Sequence, residues 1–196
     1  RLDERDLIAE WQQRHAGGTY VWNKRQLDAA PADTPLLALF EPGHMQCGRG
    51  RAKDAAGEPS LAEMTRAAIA RLSRNPNGYV LLVEGGRIDH ANHYGNAYRA
   101  LTDAVAMSDA VRAASEASSP DDTLILVTAD HSHTLNFVGY PMRGNPILGK
   151  VRGSSGEDDE GDIVVDGTGL PYTTLSYANG PGYTGASSSQ AAGPKK

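Results

Sequence analysis

The chain has 196 residues, of which 39% are hydrophobic and 22% charged, a balance that suits one domain with a real core and excludes a disordered tail. Its net charge of -5 argues against a nucleic-acid partner, because phosphate backbones select basic surfaces. Without a run of eighteen or more apolar residues no transmembrane helix is predicted, and the single cysteine, Cys47, leaves neither an internal disulfide nor a cysteine-rich zinc site.

The opening RLDERDLIAEWQQ is charged and amphipathic, so it does not read as a signal peptide. Residues 3–15 are expected to form a helix with Leu7, Ile8 and Trp11 on one stripe, capped by Asp3 or Asp6 and ended by Gly17-Gly18. The apolar run from Leu36 to Phe40 reads as a buried strand, followed by a glycine-rich loop from Pro42 to Glu58. Ser60 starts a second helix, with Leu61, Met64, Ala68 and Leu72 at helical spacing and Glu63 in its first turn.

The run Tyr79–Val83 is continuously apolar, as expected of a strand covered on both faces. A helical pattern runs from about Asn92 to Ser118, with Leu101, Ala104, Val105 and Val111 on the expected buried face, and Pro120-Asp121-Asp122 break it. Thr123–Thr128 is a further buried-strand candidate. Strand, long helix, strand is the βαβ pattern of a parallel sheet, so the chain is read as α/β. After Tyr140 the texture loosens: the acidic run Glu157–Glu160 reads as surface loop, Tyr172–Tyr177 as a third strand, and residues 185–196 as a disordered or broken tail.

In an open parallel sheet, ligands collect at the carboxyl ends of the strands. One strand of the βαβ unit ends at Glu84, followed by Asp89, His90 and His93, and the other at Asp130, His131 and His133. Asp89 and His93 stand four apart, which on a helix presents an oxygen and a nitrogen to one ion. Mixed carboxylate and imidazole sets suit zinc, and an oxygen-only group such as Glu84 suits magnesium. A single histidine of this kind is more often a surface or core residue, and a lone Asp-His pair is often a cap. Their concentration at two strand ends instead points to a two-metal site for phosphate-ester chemistry. A nucleotide-binding βαβ unit is a poor alternative, because Glu84-Gly85-Gly86 matches neither the GxGxxG nor the P-loop pattern.

The segments Val83-Glu84-Gly85-Gly86-Arg87-Ile88-Asp89-His90, with His93, and Val127-Thr128-Ala129-Asp130-His131-Ser132-His133 resemble the metal-ligand segments of alkaline phosphatases. Tyr98–Thr102 is similar to the family too. Tyr20–Asn23, Leu39–Gly43, Leu72–Pro76, Gly139–Pro141, Arg143-Gly144 and Tyr177–Tyr183 resemble its animal-type branch. The similarity runs from about residue 6 to 184, so residues 1–184 are expected to be a partial family domain with a non-family tail after it.

The resemblance implies the alkaline-phosphatase-like three-layer fold, a largely parallel central sheet with helices on both faces. It implies phosphate monoester hydrolysis with zinc and magnesium. Asp89 and His93 would hold the first zinc, Asp130 and His131 the second, and Glu84 the magnesium, with His133 behind them, hydrogen-bonding a liganding carboxylate. A calcium site of the animal-type branch would use the Phe40 carbonyl and Glu41, with Glu58 the nearest later acid. The family's serine nucleophile, bridging aspartate, phosphate-binding arginine and last zinc histidine have no counterpart here, so the isolated chain is expected to be a fragment without turnover. The alternatives are a non-catalytic metal-binding piece and a sister metallohydrolase such as a phosphodiesterase or phosphoglycerate mutase. Export to the periplasm or cell surface and a homodimeric full-length protein are implied by resemblance; no membrane anchor is visible.

Overall fold

The computed structural model describes residues 4–153 and 161–179. The acidic run and the 185–196 tail lie outside the described residues. The chain divides into two compact units: Arg1–Gly85 with Thr102–Thr128, and Gly86–Leu101 with Ala129–Lys196.

In the first unit, helix α1 (Leu7–Arg14) is capped by Asp6, whose side chain accepts the N–H groups of Ile8 and Ala9 at 3.0 Å. Gly17, at φ 79°, turns the chain away from it. Strand β1 (Thr19–Val21) follows, then helix α2 (Lys24–Ala29), capped by Asn23. Strand β2 (Leu36–Ala38) pairs in parallel with β1, Thr19 opposite Leu36. Sequence pattern suggested β2, though longer; it missed β1 and α2, which are three and six residues long and show too little periodicity to stand out.

Helix α3 (Leu61–Leu72) begins where expected, with Ser60 and Glu63 closing a reciprocal capping box. The long helix read from Asn92 to Ser118 is in fact two, α4 (Arg87–His93) and α5 (Ala97–Glu116). Gly95 sits at φ 61° between them, a conformation that costs other residues energy. The Asn96 side chain then accepts the Arg99 N–H at 3.1 Å and starts α5.

The first unit's core is built from small side chains. Ala110 and Ala113 of α5 pack with Ala62 of α3, and Leu61 lies against them. The buried side of α5 therefore runs through Asp103, Ala110 and Ala113. Val105, expected inside, is 61% exposed.

The two apolar runs read as buried strands differ most from expectation. Tyr79–Val83 and Thr123–Thr128 take no strand pairing among the described residues. Val80 and Leu82 are 96% and 91% exposed, and Leu124 and Leu126 are both 81% exposed. A continuous apolar run satisfies its backbone and both faces only when neighbouring strands and layers cover it, and the described residues supply no such cover.

In the second unit, strands β3 (Leu135–Phe137) and β4 (Leu175–Tyr177) form an antiparallel pair with Leu135 opposite Tyr177. The strand expected over Tyr172–Tyr177 is thus confined to its last three residues, and its partner β3 was not foreseen. Ala91, Ala100, Val151 and Leu175 are buried there.

Candidate metal centre

Helix α4 places Asp89 and His93 one turn apart, and His93 Nε2 lies 3.3 Å from Asp89 Oδ2. The segment leading into β3 brings two imidazoles to the same carboxylate and a second carboxylate beside one of them. His131 Nε2 stands 3.9 Å and His133 Nε2 3.6 Å from Asp89 Oδ1, and Asp130 Oδ2 lies 3.4 Å from His131 Nε2. All five residues belong to the second unit, and Asp89 is their hub. Its Oδ1 is buried and accepts no hydrogen bond among the described residues, an expensive state for a carboxylate oxygen unless a cation satisfies it. The donor set of carboxylate and imidazole fits a divalent transition-metal ion such as zinc.

The hydrogen bonds at the far ring nitrogens separate the histidines by tautomer. His131 Nδ1 is 2.8 Å from the Ser132 carbonyl, which can only accept. Nδ1 therefore carries the proton, and in the neutral ring Nε2 keeps its lone pair for an ion. His133 is the reverse: its Nδ1 accepts the Thr134 N–H at 2.9 Å. The proton of the neutral ring falls on Nε2, facing Asp89. Although Asp89, His93 and His133 bring ligand atoms within 4.8 Å of one another, this tautomer turns an N–H of His133, not a lone pair, toward the carboxylate, at 3.6 Å and outside hydrogen-bond distance. The bond to Ser132, with Asp130 and Asp89 nearby, raises the His131 pKa above the ordinary imidazole value.

Other expected ligands fall elsewhere. Glu84 is exposed in the first unit, at the end of the Tyr79–Val83 run. Asp130 is at hand but its side chain is 87% exposed. His90, in the same motif, accepts from Arg87 Nη1 at 3.0 Å through Nδ1. Phe40, Glu41 and Glu58 also lie in the first unit. Glu58 is only 4% exposed, and both its oxygens face the Gln46 N–H, at 2.9 and 3.1 Å. Burial pushes its carboxyl up, the Gln46 bond pulls it down, and Glu41 and Asp54 push it up again; the net shift is upward.

Sequence reasoning did not single out Asn92. Its side chain, in a residue 7% exposed, accepts the Tyr177 hydroxyl at 2.7 Å. Nothing in the spacing of two residues 85 positions apart could have shown that contact.

The family model described as alkaline phosphatase matches residues 1–195. The tissue-nonspecific alkaline phosphatase isozyme of Gallus gallus is 45% identical over 188 residues, covering 93% of this chain and 34% of the relative. A membrane-bound alkaline phosphatase of Bombyx mori is 42% identical over 188 residues, covering 93% of this chain and 32% of the relative. A crystal structure of a cold-active alkaline phosphatase from a psychrophilic Shewanella species aligns at a TM-score of 0.49 and 24% identity, over 56% of this chain and 26% of that one. The chain thus spans about a third of the length of the curated relatives it matches.

Proposed function

The chain belongs to the alkaline phosphatase family, and from that premise we propose that it supplies part of a two-zinc, one-magnesium site that hydrolyses phosphate monoesters in the full-length protein. The observation that carries the reading is the buried, hydrogen-bond-free Oδ1 of Asp89 with the Nε2 atoms of His131 and His133 turned toward it. Asp89 and His93 would hold one zinc, Asp130 and His131 the second, and Glu84 the magnesium. Ions held there supply Lewis acidity toward phosphoryl oxygens.

The chain's own residues set the geometry of that work. His133 turns Nε2 toward Asp89 at 3.6 Å and would donate to its carboxylate once the centre is assembled. The Ser132 carbonyl holds the His131 proton on Nδ1 and leaves Nε2 as a ligand. The apolar runs Tyr79–Val83 and Thr123–Thr128 precede Glu84 and Asp130 in sequence; in the full-length protein, polypeptide outside this chain would cover them. The nucleophile is also assigned to that other polypeptide, so the 196 residues alone are proposed to lack turnover. Residues 1–184 are proposed as the family domain, in a full-length protein that is exported and homodimeric.

Glu41, Glu58 and the Phe40 carbonyl are proposed as part of a calcium site. The buried Glu58 carboxyl, raised in pKa beside Glu41 and Asp54, supports it, because a cation would relieve that desolvated charge.

The deciding experiment is hydrolysis of a chromogenic phosphate monoester by the full-length protein, with zinc and magnesium and again after chelation. Chelator-sensitive turnover that collapses on Asp89→Ala or Asp130→Ala is the expected result. Undiminished turnover in either variant, or preference for a phosphate diester, overturns the reading.

A further inference from the structure

We infer that Tyr177 is a positioning residue of the metal centre, holding helix α4 in register with the segment that carries His133 through a hydrogen bond to Asn92. This rests on the metal-centre reading above and adds to it a residue that contacts the ligands only indirectly.

Helix α4 has seven residues, too few to be stable without tertiary support. Yet it must hold Asp89 and His93 still. Asn92 lies between them in sequence, directly before His93, and is buried with Ala91. Its Oδ1 accepts the Tyr177 hydroxyl at 2.7 Å. Tyr177 in turn pairs with Leu135 across the β3–β4 ladder. The pairing continues past the strand end, with Ala178 N–H donating to the Thr134 carbonyl at 2.9 Å and Thr134 Oγ1 donating to Asn179 Oδ1 at 2.7 Å. Thr134 directly follows His133 and donates its own N–H to His133 Nδ1. Hydrogen bonds joined by short stretches of covalent chain therefore link the helix bearing Asp89 and His93 to His133, which faces Asp89.

The physical consequence concerns preorganisation. Removing the hydroxyl leaves a buried amide oxygen without its donor, a cost that a shift of the helix would relieve. A shift of α4 moves Asp89 and His93 together, relative to His133. Outer partners of metal ligands characteristically tune affinity in this way.

The test uses metal-free full-length protein titrated with cobalt(II) in place of zinc, followed by the cobalt absorption spectrum, with thermal unfolding of the metal-free proteins in parallel. Tyr177→Phe should bind cobalt roughly tenfold more weakly, within the range typical of lost outer partners, and with an altered band shape. Asn92→Ala should do the same, and the double variant should lose no more than either single one, because both remove one interaction. Wild-type cobalt affinity and spectrum in Tyr177→Phe, even with lowered thermal stability, overturns the positioning role, as do fully additive losses. Wild-type protein that takes up no cobalt overturns the metal-centre reading itself. If Tyr177→Phe does not fold, Asn92→Ala reads the same bond from its other end and decides by the same criteria.

Discussion

His133 turns Nε2 to 3.6 Å from Asp89 Oδ1 while its Nδ1 takes the N–H of Thr134. The backbone thereby chooses the tautomer and turns the N–H of this imidazole toward the hub carboxylate. His133→Ala should weaken zinc binding by about 10- to 100-fold without changing the number of ions bound. Competition titration with a zinc chelator, together with metal content by elemental analysis, checks both halves. Loss of a whole ion would instead place His133 among the ligands.

Asp89 is approached by three imidazoles, so its removal should be more damaging than that of any single histidine. Asp89→Asn keeps the shape and removes the charge. It should abolish tight binding of the ion nearest His93 and, with it, most phosphomonoesterase activity of the full-length protein. Metal content and turnover measured on the same preparation test this.

Glu58 carries a raised pKa in a buried position, mainly through burial. In the cation-free protein a carboxyl shifted this way stabilises the fold while protonated, and that contribution is lost as pH rises through its folded pKa. Glu58→Gln should therefore raise the unfolding midpoint of the cation-free protein at neutral pH. The same variant should erase any stabilisation that calcium gives the wild type. Melting curves with and without calcium separate the two effects; calcium stabilisation that survives in the variant would remove Glu58 from the site.

The capping box at α3 gives a pH prediction of opposite sign. Burial pushes Glu63 up, but the Ser60 N–H and hydroxyl and the Lys24 ammonium outweigh it, and its carboxyl lies below the ordinary value. Stability from this group is present above the unfolded carboxylate pKa and fades as pH falls through the folded one. Ser60→Ala should cost about 1 kcal/mol at neutral pH, and the difference from wild type should shrink in acid. Denaturant unfolding at both pH values tests it.

Gly95 separates α4 from α5 at φ 61°. Gly95→Ala should cost about 1 kcal/mol, the usual penalty for a left-handed non-glycine residue. Because Gly95 lies two residues after His93, the variant should also weaken cobalt binding. Unfolding and cobalt titrations on one sample would show both.

What was legible in the sequence is what local chemistry fixes. The Ser60 and Asp6 caps, the apolar helix patterns, and the Asp89–His93 pair at one-turn spacing all depend on residues a few positions apart. The resemblance of the two segments around Asp89 and Asp130 named the family, and the family model matches 1–195. Tertiary structure alone decided the rest, because it turns on residues far apart in the chain. It divided the predicted long helix at Gly95, turned Val105 outward and gave β3 a partner 40 residues away. It left Tyr79–Val83 and Thr123–Thr128 without strand partners among the described residues, since an apolar run states that cover is needed but not where it comes from. The tautomers of His131 and His133 turn instead on the local backbone conformation, which the identity of the neighbouring residues does not state. One ring meets a carbonyl and the other an amide N–H, and the proton goes to a different nitrogen in each.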